Sequence, residues 1–328
     1  MSTITPAATY PINAGSDFDI APDYYSGEFI PALWSGKLNA KFFAASTFAA
    51  VSNTNWEGEI SNMGDKVIIQ NPPSISIADY EAGMTLTYEV PAPDTLELVI
   101  DQGKYFGFKL NDVLAHQANF DLMNMFSDDA GQQLKVQIDT NCWAGTFDQG
   151  AAANKGATAG VISGSYDLGT DAAPEALTKD NILSYILALA SVLDEQNVPE
   201  EGRFLVITPK ERYLLMQSSL AQAYYTGDAS SPLRNGKLGM IDRFQLYVSN
   251  LLPTANADED WVGGADAGTL ARHAVVAGHS SALTFANQVN KTETLRNQND
   301  FGDLVRGLTV FGRKCVKPES LALLVVAD

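Results

Sequence analysis

From Asn111 onward the apolar side chains keep to one helical face for about 30 residues, roughly 45 Å at 1.5 Å per residue. His116, Phe120, Met123, Phe126, Ala130, Leu134, Ile138 and Cys142 recur at intervals of three or four, the spacing that stacks side chains along one side of an α-helix. Asp112 stands where an N-cap is expected. A helix of this length exceeds what a small globular domain needs. His116 lies on the stripe and reads as a packed core histidine, and Met123 and Met125 read as gap-fillers.

The 54 residues before this helix have a different character. "DKVIIQ", "SISIADY", "TLTYEV" and "TLELVI" alternate or are β-branched, and Pro72-Pro73 and Pro91-Ala92-Pro93 interrupt them. A polar, two-sided ribbon of this kind buries little on its own and calls for a partner surface. Residues 1–28 are rich in Pro, Asp, Ser and Tyr without periodicity and read as an extended arm. Asp17, Asp19, Asp23 and Glu28 do not make a calcium loop, because Ala21 and Pro22 occupy the places of a ligand and a glycine. From Phe29 a short amphipathic helix is expected, with Pro31 in its first turn and Leu33, Trp34, Leu38, Phe42 and Phe43 on its face.

Beyond the long helix, residues 145–176 are Gly- and Ala-rich and read as loop. Thr178 is the expected cap of a helix bearing Ile182, Leu183, Ile186, Leu187, Ala190 and Leu193. "RFLVIT" reads as a strand, Pro209 opens a helix, and "GMIDRFQLYVSNLLP" reads as a strand with a bend near Asp242. The acidic segment around Asp260 reads as a solvated loop. "HAVVAGHSSALTFAN" reads as a strand followed by a helix or turn. The last residues hold two apolar strands joined across Lys317-Pro318. The mixture is α+β, and no 20–50-residue period marks a solenoid.

Charge and composition narrow the function. Asp and Glu total 39 against 21 for Lys and Arg, a formal charge of −18. Nucleic-acid affinity needs clustered cations facing phosphate, and an anionic membrane repels such a chain. The longest apolar run, from Ile182, is too short for a bilayer, and the first residues lack the basic and apolar regions of a signal peptide. The two cysteines, Cys142 and Cys315, are too few for a disulfide framework or a thiolate zinc site and suit a reducing compartment.

One stretch raises the question of catalysis. Gly278-His279-Ser280-Ser281-Ala282 resembles a nucleophile elbow, but no histidine follows Ser280 to serve as its base. His273 belongs to the same strand, and Ser280 reads as a turn hydroxyl. Asp128-Asp129 and Asp258-Asp260 read as solvated carboxylates. No phosphate-binding glycine pattern occurs. No catalytic, cofactor-binding or metal residue is expected, and the chain is not read as an enzyme.

In their order, these parts resemble the major capsid protein of tailed bacteriophages, the Hong Kong 97-type capsid fold. The likeness is carried by "FIPALWSGKLNAKFF", "NTNWEGEISNMGDKVIIQNPPSISIADYEAG", "LTYEVPAPDTLELVIDQGKYFGFKLNDV", "DRFQLYVSNLLP", "AVVAGHSSALTFA" and "FGDLVRGLTVFGRKCVKPESLALL". The resemblance implies an N-terminal arm at 1–28 and a helix and connection at 29–56. An extended β-loop at 57–110 would lie over a neighbouring subunit. A spine helix at 111–145 would belong to a peripheral domain, an axial domain would span 146–290, and returning strands would follow at 291–328. It implies pentamers and hexamers closing an icosahedral shell around double-stranded DNA, without sequence-specific binding and without a membrane. A separate scaffolding protein, a portal and a possible decoration protein are implied as partners, with assembly in the bacterial host cytoplasm and a final place in the virion. Between Pro72 and Leu110 the lysines are Lys104 and Lys109, close to the spine helix, so no covalent crosslink through the loop is expected. An encapsulin-type compartment enclosing protein cargo, or an enzyme of unrecognised type, remains the alternative.

Overall fold

The helical stripe folds as a rod. In the computed structural model, which describes residues 46–56, 66–71, 73, 75–85, 88–91, 94–112, 122–218, 239–255, 262–263, 272–298 and 301–327, this helix runs from Leu122 to Ala144, about 35 Å. The expected arm, the helix positions Leu33 to Phe43, His116 and Phe120 on the stripe, and the acidic segment around Asp260 lie outside the described residues. The rod is α2. Before it come α1 (Phe48–Val51), β1 (Lys66–Asn71), β2 (Asp94–Val99) and β3 (Gln102–Asn111). The Asp112 carboxylate accepts from the Arg296 guanidinium (2.9 Å); the backbone groups it was expected to cap lie outside the described residues.

α1 is too short to hold itself, and α2 holds it. The buried Asp139 accepts the backbone N–H groups of Thr47 (3.1 Å) and Phe48 (2.9 Å) and the Ser46 hydroxyl (3.1 Å). A carboxylate from a distant turn thereby satisfies the donors a local cap would take. Burial raises the Asp139 pKa above its ordinary value in spite of those bonds.

β10 (Leu283–Arg296) and β11 (Gly302–Cys315) have 14 residues each. With β3 they form an antiparallel sheet in the order β10-β11-β3. Its inner face lies on α2, where Phe108 meets Phe126 edge-on at 5.8 Å. Phe106, stacked on Phe108, lies over Gly307, where an added Cβ would stand 2.2 Å from the ring. Only glycine allows that closure. β1 and β2 pair separately from Lys66↔Val99 to Asn71↔Asp94, and the described residues between 73 and 91 contain no strand.

The remaining strands make one seven-stranded sheet. β9 (Arg272–His279) is its centre. β12 (Leu321–Ala327) pairs along one edge of β9, and β4 (Arg203–Ile207) and β7 (Pro253–Ala255) share the other. β6 (Phe244–Val248) runs parallel to β4, β5 (Met240–Ile241) flanks β6, and β8 (Val262–Gly263) flanks β7. Both faces are covered, which is why β4, β9 and β12 read as near-continuous apolar runs. Leu205, Val275 and Leu324 pack under α4 (Ile182–Glu195). Phe204, Val276 and Leu323 pack on a second core with Trp143 of α2 and Phe147 of α3 (Thr146–Gln149). One sheet is therefore the wall of two cores.

The Gly/Ala-rich segment is ordered by bonds to that sheet. The buried Asn154 amide donates to the Glu319 and Leu321 carbonyls, both at 2.7 Å, and accepts from Gln196 at 2.8 Å. Leu168 and Glu175 bond the outer edge of β12 through Val325 and Ala327.

Two local expectations change, and a third, left as helix or turn, is decided. The N-cap position of α4 is Asn181 and not Thr178: the Asn181 side chain accepts the Thr178 N–H at 2.7 Å, ordering the turn ahead of the helix. The bend at Asp242 is a complete two-residue hairpin turn, with φ of +41° at Asp242 and +69° at Arg243, the left-handed geometry that matches strand twist. His279 is followed by the turn Ser280–Ala282 and then β10, with no helix, because the Ala282 N–H closes on the His279 carbonyl at 2.9 Å. The helix α5 (Pro209–Gln217) begins at Pro209 as expected, with Thr208 as its N-cap and Glu211 completing a capping box.

Candidate functional site

The serine stretch lies in the tight turn that carries the chain from β9 of one sheet to β10 of the other. The histidine meets Ser281, not Ser280: His279 Nδ1 is 2.8 Å from the Ser281 hydroxyl and accepts the Ser281 backbone N–H at 3.1 Å. A strand–turn–strand has no helix start behind the serine to stabilise an oxyanion, and among the described residues no carboxylate bonds His279. The bond set closes a turn.

The other histidine described, His273, is buried on β9. Its Nε2 lies 2.7 Å from Glu211 Oε1, also buried. Burial alone would raise the Glu211 pKa; the hydrogen bond and charge of His273, with bonds from Thr208, outweigh it and hold the carboxyl below its ordinary value. The pair is sealed beneath α5 and offers no face to a substrate. Cys142 and Cys315 are buried and free, and burial pushes both thiols up to about 12, which removes the thiolate needed for reaction or metal binding. Among the described residues no three His, Cys, Asp or Glu side chains gather where a metal would sit, and no helix is long and apolar enough to cross a membrane.

What the fold does present is uncovered apolar surface. Between β1 and β2, Ile75, Ile77, Tyr80, Tyr88 and Val90 are exposed, Ile77 by 98% and Val90 by 91%. Ser76 bonds the Glu89 carboxylate through its N–H (3.1 Å) and hydroxyl (2.7 Å), tying the two limbs of the excursion. Alternation in "SISIADY" led to an expected strand, but the pairing partner is not in this chain's described residues. The acidic residues from 73 to 91 are Asp79, Glu81 and Glu89, with no Lys or Arg.

The outer face of the three-stranded sheet is the second such surface. The register places Tyr105 opposite Leu308 and Leu308 opposite Lys291, Arg306 opposite Glu293, and Lys109 opposite Leu304. Directly paired and alternate residues share a face, so this face carries exposed Tyr105 and Leu308 with three cations and one anion. Arg306 and Glu293 are joined at 2.6 Å. In a chain of charge −18 it is a locally positive surface. The lysine spacing did not reveal it, because Lys109, Lys291 and Arg306 meet only through strand register.

The comparisons with known proteins agree with this architecture. The structure from Mycobacterium phage Che8 aligns with a TM-score of 0.71 and 26% identity, covering 91% of this chain and 97% of that one. The capsid of cyanophage P-SCSP1u aligns at 0.69 with 16% identity over 92% and 94%, and the mature capsid of bacteriophage PhiM1 at 0.64 with 15% over 90% and 92%. No curated protein matches the sequence. The fold is the Hong Kong 97-type capsid fold that the segment order resembled. A family model described as phage capsid protein matches residues 95–324, well over half of the sequence, and the chain belongs to that phage capsid protein family.

Proposed function

We propose that copies of this chain associate as pentamers and hexamers into the icosahedral shell that encloses the double-stranded DNA of a tailed bacteriophage. Its role is structural and its place is the virion. The observation that carries this reading is the excursion between β1 and β2, whose large apolar side chains have no cover in their own subunit. Each is worth about 1.5–3 kcal/mol on full burial, so a neighbouring copy gains what the lone subunit forgoes. The acidic excursion of one copy would lie on the locally positive sheet face of another. Residues 57–110 would act as the extended loop, α2 as the spine of a peripheral domain, 146–290 as an axial domain and 291–328 as the returning strands, with the arm at 1–28 reaching adjacent subunits. A scaffolding protein, portal and decoration protein are the partners this reading implies, and the bacterial cytoplasm the place of assembly.

Expression with a scaffolding partner, followed by negative-stain microscopy, tests it: closed shells are expected, and a chain that stays monomeric at all concentrations refutes it. Boiled in denaturant, the particles should run as one band near the 35.2 kDa monomer, because Lys104 and Lys109 lie on β3 and not on the excursion. A ladder of covalent multimers overturns that expectation.

Assembly should also weaken in dilute salt. Local attraction between an acidic loop and a few cations competes with repulsion between whole copies, each of charge −18. The screening length grows from about 10 Å at 0.1 M to about 30 Å at 0.01 M, which favours the longer-ranged repulsion. Light scattering should show a higher assembly threshold at the lower salt; an unchanged threshold counts against it.

A further inference from the structure

The axial sheet carries a small structure that its own core does not need. Ala159 and Tyr166 exchange backbone bonds at 2.8 and 3.1 Å, and Ala159 and Leu168 anchor the segment in the core beneath α4. Between them the chain projects, and at its tip Val161 is 54% and Ile162 80% exposed. Exposed turns favour Gly, Asn, Asp and Ser; here two β-branched apolar side chains face solvent.

The tip is held firmly. Glu195, at the end of α4, accepts the backbone N–H groups of Ile162 (2.8 Å) and Ser163 (3.1 Å). The Gly164 N–H closes on the Gly160 carbonyl at 3.0 Å. Gly160 has φ of +106°, and a Cβ there would stand 2.8 Å from the Glu195 carboxylate, so glycine is required both by conformation and by approach. A carboxylate and two glycines thus fix an apolar pair in water. Contact residues fixed before binding lose little entropy when they bind, and well-packed apolar anchors dominate interfaces.

We propose that the Val161–Ile162 tip is an anchor between copies of this chain, an inference that rests on the shell reading above. The charge pattern selects the occupant. Residues 156–166 contain no charged residue in a chain of net charge −18. Identical acidic copies repel, and they approach each other at least cost where the contact segment itself carries no charge and the carboxylate beside it, Glu195, is bonded to the Ile162 and Ser163 N–H groups. A basic partner would gain nothing from an uncharged tip and would be drawn to the acidic surface elsewhere.

The test replaces both side chains, Val161→Ser with Ile162→Ser, in the full chain expressed with its scaffold. Because both positions are exposed, the subunit's melting temperature should be unchanged, while the concentration threshold for assembly, read by light scattering and checked by microscopy, should rise about tenfold or more. Glu195→Ala leaves the apolar pair in place but unpins it, and should raise the threshold by a smaller factor. A double variant that assembles within about twofold of wild type overturns the inference alone, including the case in which it loses only the binding of some other protein. A wild-type chain that forms no shell overturns the shell reading and this inference together.

Discussion

Replacing Ile77 with aspartate should abolish shell formation and leave the subunit's melting temperature within about 2 °C of wild type. Ile77 is 98% exposed, so the isolated subunit loses no packing. In the proposed shell the same position would be covered by a neighbour, and the substitution exchanges about 2 kcal/mol of apolar burial for the desolvation of a carboxylate. The cost recurs at every copy. Differential scanning calorimetry on the subunit and microscopy on the assembly reaction separate the two effects. Shells of normal yield from Ile77→Asp would mean that the excursion is not a contact, and a large fall in melting temperature would mean that it folds against its own subunit.

The largest effect on the subunit itself should come from His273→Ala. It strands the buried Glu211 carboxylate without its ring partner, and breaking a buried pair costs about 3–5 kcal/mol. The pH dependence gives the variant a signature. In the wild type the Glu211 pKa is lowered on folding, so its contribution is present above the ordinary carboxylate pKa and is lost as pH falls through the lowered folded value. Without His273, burial dominates and raises the Glu211 pKa, so acidification from neutral pH should stabilise the variant relative to wild type. Asp139, already raised by burial, contributes in that same direction in both proteins and cancels in the comparison. Denaturant melts at several pH values check this; parallel wild-type and variant profiles would show that the ring does not hold the carboxylate.

Much of the fold could be read directly because its signals are local. "RFLVI" and "LALLVV" are strands buried on both faces, so their apolar runs need no outside information. Pro209 and the Thr208–Glu211 spacing mark a helix start by short-range hydrogen bonding. The α2 stripe is helical at every position that is described, but only its C-terminal end, at Ile138 and Cys142, packs into a core, and Phe126 stays exposed. What the sequence withheld depends on partners. Alternation in "SISIADY" reports side-chain preference but cannot supply the strand it would pair with, so an expected strand became an unpaired limb. Asp242-Arg243 lacks the Asn-Gly signature of a tight hairpin, and the left-handed turn was read as a bend. Nothing local marks the bond between Glu211 and His273, which lie 62 positions apart. The positive sheet face arises from register, and the exposed tip from Glu195, neither of which leaves a spacing to find.

The bonds that Leu168 and Glu175 make to β12 decide how a sheet of this kind can meet its copies. With that edge occupied and β5 only two residues long at the opposite side, the described residues of the seven-stranded sheet offer little bare backbone for a foreign strand to zip onto. Copies meeting there are left to associate through side chains and loops, contacts that open one at a time. A misplaced subunit can then let go and try again, whereas one sewn into a continuous hydrogen-bonded ribbon would be trapped. Closed, error-corrected containers become accessible where fibres would otherwise compete.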